Sequence, residues 1–371
     1  MARTSYNHFN LRPAPGSNPT SLFKQIQQMQ ELILHDPLRT IELPQYLSIE
    51  LVTESFVVLM TRDFADALDP HGYSSYHETL LENHTDADHM CNRNSRYGGE
   101  QRAWKTTRVH EVINENHPRI VRFLGRDPWT ALPLLERPSG GTLDVFMEEH
   151  RGDMYGGSCL TPHYWPLILQ WALQLLSALS FVHSKDVIFG DLHTGICWLQ
   201  SPSPNKVNIS LLGFLDAIYM EPMHAKRYFN GEGSWGASHI FHPARVLGNN
   251  RVEVGCDGVW DRFRATVQTD LFLWACLVFE LLTGCWPGEE MDEGEVGVIM
   301  MKRAWPGLEG GGCLERILWT CWEFGYADAE EVKSDLRGYV RDQGWEVEGE
   351  YGDEIKGIHV RKILDGAKNA L

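Results

Sequence analysis

The segment Leu271–Leu282 is apolar on nearly every side of the helix that its length and spacing predict. A helix without a polar face is stable only when other elements cover it all round, so this segment belongs at the centre of a large folded unit. The segment Pro166–His183 has apolar residues along one face and also predicts a helix. Polar residues interrupt both segments, which fall short of the roughly 20 apolar residues that span a bilayer. We therefore expect no transmembrane helix.

The first third of the chain follows a different pattern. Alternating and β-branched runs at Thr40–Leu43, Leu47–Thr53 and Ser55–Thr61 predict short strands of an antiparallel sheet. A helix is predicted at Glu100–Asn114, followed by two more strands that end at Glu136. The predicted fold class is α+β, with a small antiparallel β-rich N-terminal lobe and a larger, mainly helical C-terminal lobe.

Composition gives the boundaries of these parts. The proline-containing start predicts a flexible arm, and a polar, His/Asp-rich stretch predicts a surface insertion within the sheet. Acidic residues near the end predict a solvated tail. The predicted parts are a flexible arm at 1–20, an N-lobe at 21–136 with the insertion at about 63–99, a helical C-lobe at 137–343 and an acidic tail at 344–371.

The charge balance limits the partners. With 33 Lys and Arg against 50 Asp and Glu, the formal net charge is -17. This charge repels polyphosphate, so we expect no nucleic acid partner and favour a protein or a small molecule. The start of the chain lacks the apolar core of a secretory signal, which predicts an intracellular, cytoplasmic protein.

The eight cysteines contain no C-x-x-C pair and are interpreted as structural thiols. Within the insertion, His84, Asp86, Asp88, His89 and Cys91 carry atoms that bind metals. A polar loop gives them no fixed geometry, so no metal site is predicted there.

Five segments, in this order along the chain, resemble a protein kinase domain over roughly Leu43 to Val340. They resemble the stretch after the αC helix, the hinge, the run into the catalytic loop, the αF helix and a late motif. The segments are His117–Val121, Leu135–Leu143, Phe181–Leu192, Thr269–Gly284 and Cys321–Trp322.

The resemblance also shows which parts of a kinase's phosphoryl-transfer site are missing. No glycine occurs between Ser17 and His71, where a phosphate-binding loop is expected. Met60 occupies the position of the strand lysine, with Arg62 as a poorly suited substitute. The position of the αC glutamate falls near Thr106–Arg108, where no residue is acidic.

The catalytic segments are altered in the same way. Asp191 matches the catalytic base, but Ile196 replaces the metal-binding asparagine of the loop. Gly213 replaces the aspartate of the DFG-like tripeptide Gly213-Phe214-Leu215, so neither protein ligand for magnesium remains. By the resemblance, Asp191 is a residual base position that is not expected to act.

Two more substitutions affect the adenine position. Pro138 matches the hinge residue whose backbone N–H binds the adenine ring, and proline has no such group. Trp198 matches a small apolar residue that lies against the base, so its indole is expected to fill part or all of that pocket. Phe189 and Phe214 match a column of apolar side chains, and Asp270 matches a buried αF carboxylate, all three with structural roles.

We therefore interpret the chain as a pseudokinase that binds a protein partner and needs no cofactor. The main alternative is a divergent Ser/Thr kinase that uses Asp191 with ATP and magnesium. A second alternative arises because Gly190–Gly195 also resembles the catalytic loop of aminoglycoside and choline phosphotransferases. Phosphorylation of an amino sugar or amino alcohol, and of no protein, would select this last interpretation.

Overall fold

The computed structural model describes part of the chain. The described residues are 40–43, 47–51, 56–61, 98–126, 133–157, 159–190, 192–203, 205–215, 217–219, 266–289, 291, 295, 298–299, 302–308, 312–360 and 363. The predicted arm, Arg62, the insertion up to residue 97 and the base position Asp191 lie outside these residues.

The N-terminal part of the described chain is an antiparallel sheet with the strand order β1-β2-β3-β5-β4. The strands are β1 (Thr40–Leu43), β2 (Leu47–Leu51), β3 (Phe56–Thr61), β4 (Phe123–Arg126) and β5 (Pro133–Glu136). The first three were predicted, although β2 ends two residues early and β3 begins one residue late. Their β-branched residues favour the extended backbone, which explains why short local patterns sufficed.

Helix α1 (Gly98–Ile113) joins β3 to β4, and it begins and ends close to its predicted limits. The chain then returns to the sheet edge as β4 before β5 inserts beside β3. The register shifts between Phe123 and Gly125, where Gly125 has a φ of 146° that an L side chain rarely adopts. Helix α1 thus lies in the chain between β3 and β4. The segment that resembles the hinge, Leu135–Leu143 (the hinge-like segment), begins at the end of β5.

The C-terminal part of the described chain is mainly helical, as predicted. Its helices are α2 (Leu143–Met154), α3 (Trp165–His183), α4 (Val267–Thr283), α5 (Gly312–Trp322) and α6 (Ala329–Asp342). Short antiparallel pairs lie between them: β6 (Tyr155–Gly156) with β7 (Cys159–Leu160), and β8 (Cys197–Ser203) with β9 (Lys206–Leu211). The described residues thus have an α+β fold. Helix α2 and the β8–β9 hairpin were not predicted.

Helix α4 is buried along almost its whole length, as its all-round apolar sequence requires. It begins after a capping box at Thr266 and Thr269, and it ends at Gly284, whose φ of 79° suits glycine. Trp274 in α4 donates a hydrogen bond to the Ala172 carbonyl of α3 at 3.1 Å. These contacts make α3 and α4 the core of the helical part.

Within the described residues, the stretch Pro162–His183 has the length and apolar composition of a membrane span. It is longer than predicted because a 3-10 turn at Pro162–Tyr164 precedes α3. Yet 78% of its most apolar window is buried inside the protein. A buried core helix meets the same length and composition criteria, so this is weak evidence for a span.

The acidic tail is not simply a solvated surface, and that expectation was wrong. Residues 345–360 fold back, with β10 (Val347–Glu348) paired to β11 (Glu354–Ile355). Asp353 is 1% exposed and accepts two hydrogen bonds of 2.9 Å from the guanidinium of Arg119. Ile355 donates its backbone N–H to Gln170 in α3 at 3.0 Å. Asp353 is buried because it pairs with Arg119, which lies 234 residues away in sequence. The local density of acidic residues could not predict this pairing.

Candidate functional site

Four rings form a continuous column through the described part of the site. His110 of α1 stacks on Phe123 of β4, with ring centroids 4.9 Å apart. The same imidazole meets Phe214 edge to face at 5.0 Å, and Phe214 meets Phe189 at 5.8 Å. These geometries are the ones that aromatic rings prefer. The column links the sheet to the segments that resemble the DFG and catalytic-loop motifs. Sequence reasoning named Phe189 and Phe214 but missed His110 and Phe123.

Asp270 of α4 holds the Phe189 end of this column. Its Oδ2 accepts the Phe189 backbone N–H and its Oδ1 accepts the Gly190 backbone N–H, both at 2.7 Å. His183 Nε2 of α3 lies 2.8 Å from the same Oδ2. A fully buried carboxylate needs such partners because it has left water. Asp270 thereby holds the backbone immediately before residue 191.

Helix α1 contacts the DFG-like segment through a neutral group. Thr106 is buried, and its hydroxyl oxygen accepts the Phe214 backbone N–H at 3.0 Å. Arg108, two residues later, instead forms an ion pair of 2.6 Å with Glu111 in the same helix. A hydroxyl at Thr106 supplies no negative charge to hold a lysine near a phosphate. Lys105, beside Thr106, is only 5% exposed.

Trp198 lies in β8, paired with Ser210 of β9. Its side chain is 1% exposed, and the indole Nε1–H donates to the carbonyl of Gly140 in the hinge-like segment. Backbone bonds join the same two segments, with Gly140 N–H donating to the Leu199 carbonyl at 3.0 Å. A Cβ at residue 140 would come within 2.7 Å of the Leu199 carbonyl oxygen, so only glycine fits there. The indole is therefore fixed directly against the hinge-like segment.

Ile196 and Gly213, which by the kinase resemblance match metal-ligand positions, lie in adjoining backbone segments. Ile196 is buried in a 3-10 turn, and its carbonyl accepts the Leu212 N–H at 2.9 Å, directly before Gly213. His193 accepts the Gly195 N–H on its Nδ1 at 3.1 Å. Hydrogen bonds and apolar contacts thus stabilise the turn. Residue 196 has an aliphatic side chain and residue 213 has none, so neither side chain offers an oxygen to a metal ion.

The remaining site residues lie at the edges of this region. Met60 is in β3, with its backbone opposite Ser48 of β2. Pro138 is buried just after β5 and lines a cavity of about 410 Å³. Of the catalytic-loop segment, Asp191 lies outside the described residues, so only its neighbours Gly190 and Leu192 have a described position.

Burial changes the protonation of two groups near this region. Desolvation lowers the pKa of His110 to about 3, so the ring in the column is neutral near pH 7. The pKa of Glu280 in α4 is raised to about 8, chiefly by burial and also by the nearby charges of Glu289 and Asp144, which Arg151 opposes. Its Oε2 is buried and makes no hydrogen bond. Both groups are therefore neutral where they are buried.

The described residues contain no cluster of three or more His, Cys, Asp or Glu side chains that could hold a metal ion. Six cysteines are described, and all are free: Cys159, Cys197, Cys276, Cys285, Cys313 and Cys321. Burial raises the pKa of Cys197, Cys276 and Cys321 well above the usual thiol value. These three buried thiols are therefore unreactive.

Comparison with known proteins gives structural neighbours only. No protein-family model matches the chain, and no curated protein matches it. A crystal structure of the Rad53 kinase domain and SCD2 superposes with a TM-score of 0.47 at 16% identity, covering 72% of this chain and 86% of that one. The same protein in complex with AMPPNP gives 0.44 at 16%, with coverages of 70% and 87%. These values are too low to assign an activity or a ligand. The described elements have an α+β fold.

Proposed function

We propose that this protein is a catalytically impaired, pseudokinase-type member of the kinase-like fold that acts as a protein-interaction or regulatory module. It is proposed to be bilobal, with a protein rather than a nucleic acid or a membrane as its partner. The observation that carries the proposal is the position of Trp198, buried and hydrogen-bonded to the hinge-like carbonyl of Gly140.

An indole in this position competes with a nucleotide base. By the kinase resemblance, the adenine ring lies between the hinge and the side chain at residue 198. Moving a buried tryptophan aside exposes its apolar surface and breaks its hydrogen bond, which together cost about 3–5 kcal/mol. Pro138 offers no N–H in return. The base would therefore have to overcome this cost without its usual hinge bond.

The phosphate side of the proposed cleft is also poor in charge. By the resemblance, Met60 stands where a kinase has a lysine, a residue near Thr106–Arg108 where it has a glutamate, and Ile196 and Gly213 where it has two metal ligands. Thr106 is already engaged with the Phe214 backbone. Transfer of a phosphoryl group depends on positioning and charge stabilisation by such residues, so losing them together argues against catalysis.

A thermal-shift titration with ATP, with and without magnesium or manganese, tests this proposal. We expect no concentration-dependent stabilisation of the wild type, and a response in Trp198→Leu if the indole is the main obstacle. Trp171→Leu is the matched control, because Trp171 is also buried and donates to a carbonyl, that of Val207, at 3.0 Å. Strong ATP stabilisation of the wild type, unchanged in Trp198→Leu, would refute the proposal.

A divergent active kinase remains the second candidate, and one observation favours it. Lys105 is a buried cation in α1, next to Thr106, and Asp270 orders the backbone beside Asp191. If Lys105 replaces the strand lysine, the protein should autophosphorylate with ATP and magnesium. Both Lys105→Met and Asp191→Ala should then abolish the signal, whereas loss in neither variant would indicate a contaminating kinase.

A further inference from the structure

A cavity of about 410 Å³ lies beside the hinge-like segment, and of the site residues described above only Pro138 lines it. Its walls come from the loop after α1, the end of β5 and strand β8. Hydrogen bonds join these walls: Glu136 N–H donates to the Arg122 carbonyl at 2.8 Å, and Ser201 N–H donates to the side-chain Oγ of Ser139 at 2.6 Å. The cavity is therefore preformed, and its volume is in the range of about 300–1,000 Å³ that ligand sites occupy.

The rim of this cavity carries charged groups without partners. Arg122, Glu136 and Arg137 are all exposed. Within the described residues, none of these side chains forms an ion pair or a hydrogen bond. The nearby Arg119 differs, because Asp353 and Glu354 already neutralise it. Two free guanidiniums at one concave site contrast with the net charge of -17 for the whole chain.

The apolar part of the lining restricts how an occupant is held. Pro118, Pro138 and Pro202 contribute apolar surface and no backbone N–H. Among the described residues, Arg122 and Arg137 are the only Lys or Arg residues in the lining, and their planar guanidiniums bind carboxylates in a bidentate manner. The lining also has neutral polar side chains, those of Asn116, Ser139 and Gln200. A long polyphosphate chain would extend over the acidic remainder of the surface, whereas a short acidic segment meets mainly the local positive charge.

We propose that this cavity is a docking site for an extended acidic segment of a partner protein, with Asp or Glu carboxylates bound by Arg122 and Arg137. The inference deepens the proposed function, on which it rests, by giving the interaction module a surface and a partner chemistry. The prolines bind the apolar side chains of the segment, and Glu136 selects against carboxylates at one side of the cavity.

Selection from a phage-displayed library of random eight-residue peptides tests the proposal on the full chain. We expect enriched sequences to be rich in Asp and Glu, and fluorescently labelled copies to bind at least tenfold more weakly to Arg122→Glu/Arg137→Glu. The control Lys302→Glu/Arg341→Glu makes the same charge change at exposed residues elsewhere and should bind as the wild type does. Because the exchanged side chains are exposed, both double variants should keep the thermal midpoint of the wild type.

Three results would overturn the proposal. Selected peptides without enrichment in Asp and Glu would exclude an acidic ligand. Equal weakening by both double variants would show that only overall charge matters, and displacement of the peptides by a single-stranded RNA oligonucleotide at equal concentration would favour nucleic acid. The ATP titration is read separately: stabilisation by ATP overturns the proposed function, even if the acidic peptides bind at this cavity.

Discussion

The segments around residues 189–198 and 211–215 have one face that packs against the protein core and one face that resembles a nucleotide site. The side chains on these two faces differ in their contacts. On the packed face, Phe189 and Phe214 belong to the ring column. Asp270 accepts hydrogen bonds from two backbone N–H groups and lies within hydrogen-bond distance of the His183 side chain. On the face that resembles a nucleotide site, Ile196 and Gly213 provide no ligand oxygen and Trp198 is turned into the core. The comparison teaches that burial and hydrogen bonds alone can fix the backbone of these segments.

The largest effect is expected for Asp270→Ala, which removes the acceptor at the base of the column. Two buried backbone N–H groups and His183 would lose their partner, and we expect a loss of about 3–5 kcal/mol in the free energy of unfolding. Urea unfolding measures this loss. Asp342→Ala, at an exposed helix end, is the control. Equal stability of the two variants would show that the packed face does not depend on Asp270.

The next effect tests whether the C-terminal segment belongs to the scaffold. Asp353→Ala leaves the buried Arg119 with Glu354 alone, and we expect a loss of about 2–3 kcal/mol. Arg119→Met/Asp353→Leu should recover part of it, because no buried charge is left unpaired. Lys356→Ala, in an exposed pair with Glu346, should not change the unfolding curve. If Asp353→Ala leaves the free energy of unfolding unchanged, the C-terminal segment does not contribute to the stability of the folded protein.

The third prediction concerns acid stability of the ring column. The folded pKa of His110 is lowered to about 3, so the unfolded chain binds a proton below pH 6.5 while the folded chain does not. This contribution is present above pH 6.5 and is lost as the pH falls, at about 1.4 kcal/mol per pH unit. Across pH 6.5 to 5 it amounts to about 2 kcal/mol. His110→Leu should flatten this slope of stability against pH.

The exposed His163 supplies the control for that slope, since His163→Gln should leave it unchanged. His117, whose pKa burial lowers to about 4, adds a contribution of the same sign. A residual slope in His110→Leu is therefore expected, and His110→Leu/His117→Leu should reduce it further. A slope identical to the wild type in the first variant would mean that the column ring is accessible to protons.

The smallest effect is expected at Glu280, whose buried Oε2 makes no hydrogen bond, in contrast to the carboxylate of Asp270. The folded pKa of Glu280 is raised to about 8, so the folded chain keeps a proton that the unfolded chain releases above pH 4.5. Stability from this group therefore falls as the pH rises from 4.5 to 8. Keeping this carboxyl protonated at pH 7 costs about 3 kcal/mol, which is about 2.5 pH units at about 1.4 kcal/mol each. Glu280→Gln removes that cost but buries an amide without a partner, so we expect a net stabilisation of about 1 kcal/mol at pH 7 and a smaller fall. Destabilisation by Glu280→Gln, with Glu323→Gln as the exposed control, would show that the ionised carboxylate is needed.

The local elements were largely predictable. The spacing of apolar residues predicted α1, α3 and α4, and β-branched runs predicted β1 to β3, because these patterns report directly on which face is buried. The β8–β9 hairpin was missed because its first residues, Cys197 to Leu199, are buried on both faces and show no alternation. His110 had a usable signal, since it lies one helical turn after Thr106 and on the same face of α1.

The sequence by itself determined the α+β character, the central helix and the absence of charged groups at Met60, Ile196 and Gly213, because each follows from residue type or local spacing. Only the tertiary structure decided where the buried polar groups find partners. Arg119 and Asp353 lie 234 residues apart in sequence, and Trp198 reaches Gly140 across 58. Such pairing depends on which segments the core brings together, and desolvation then makes each pairing obligatory.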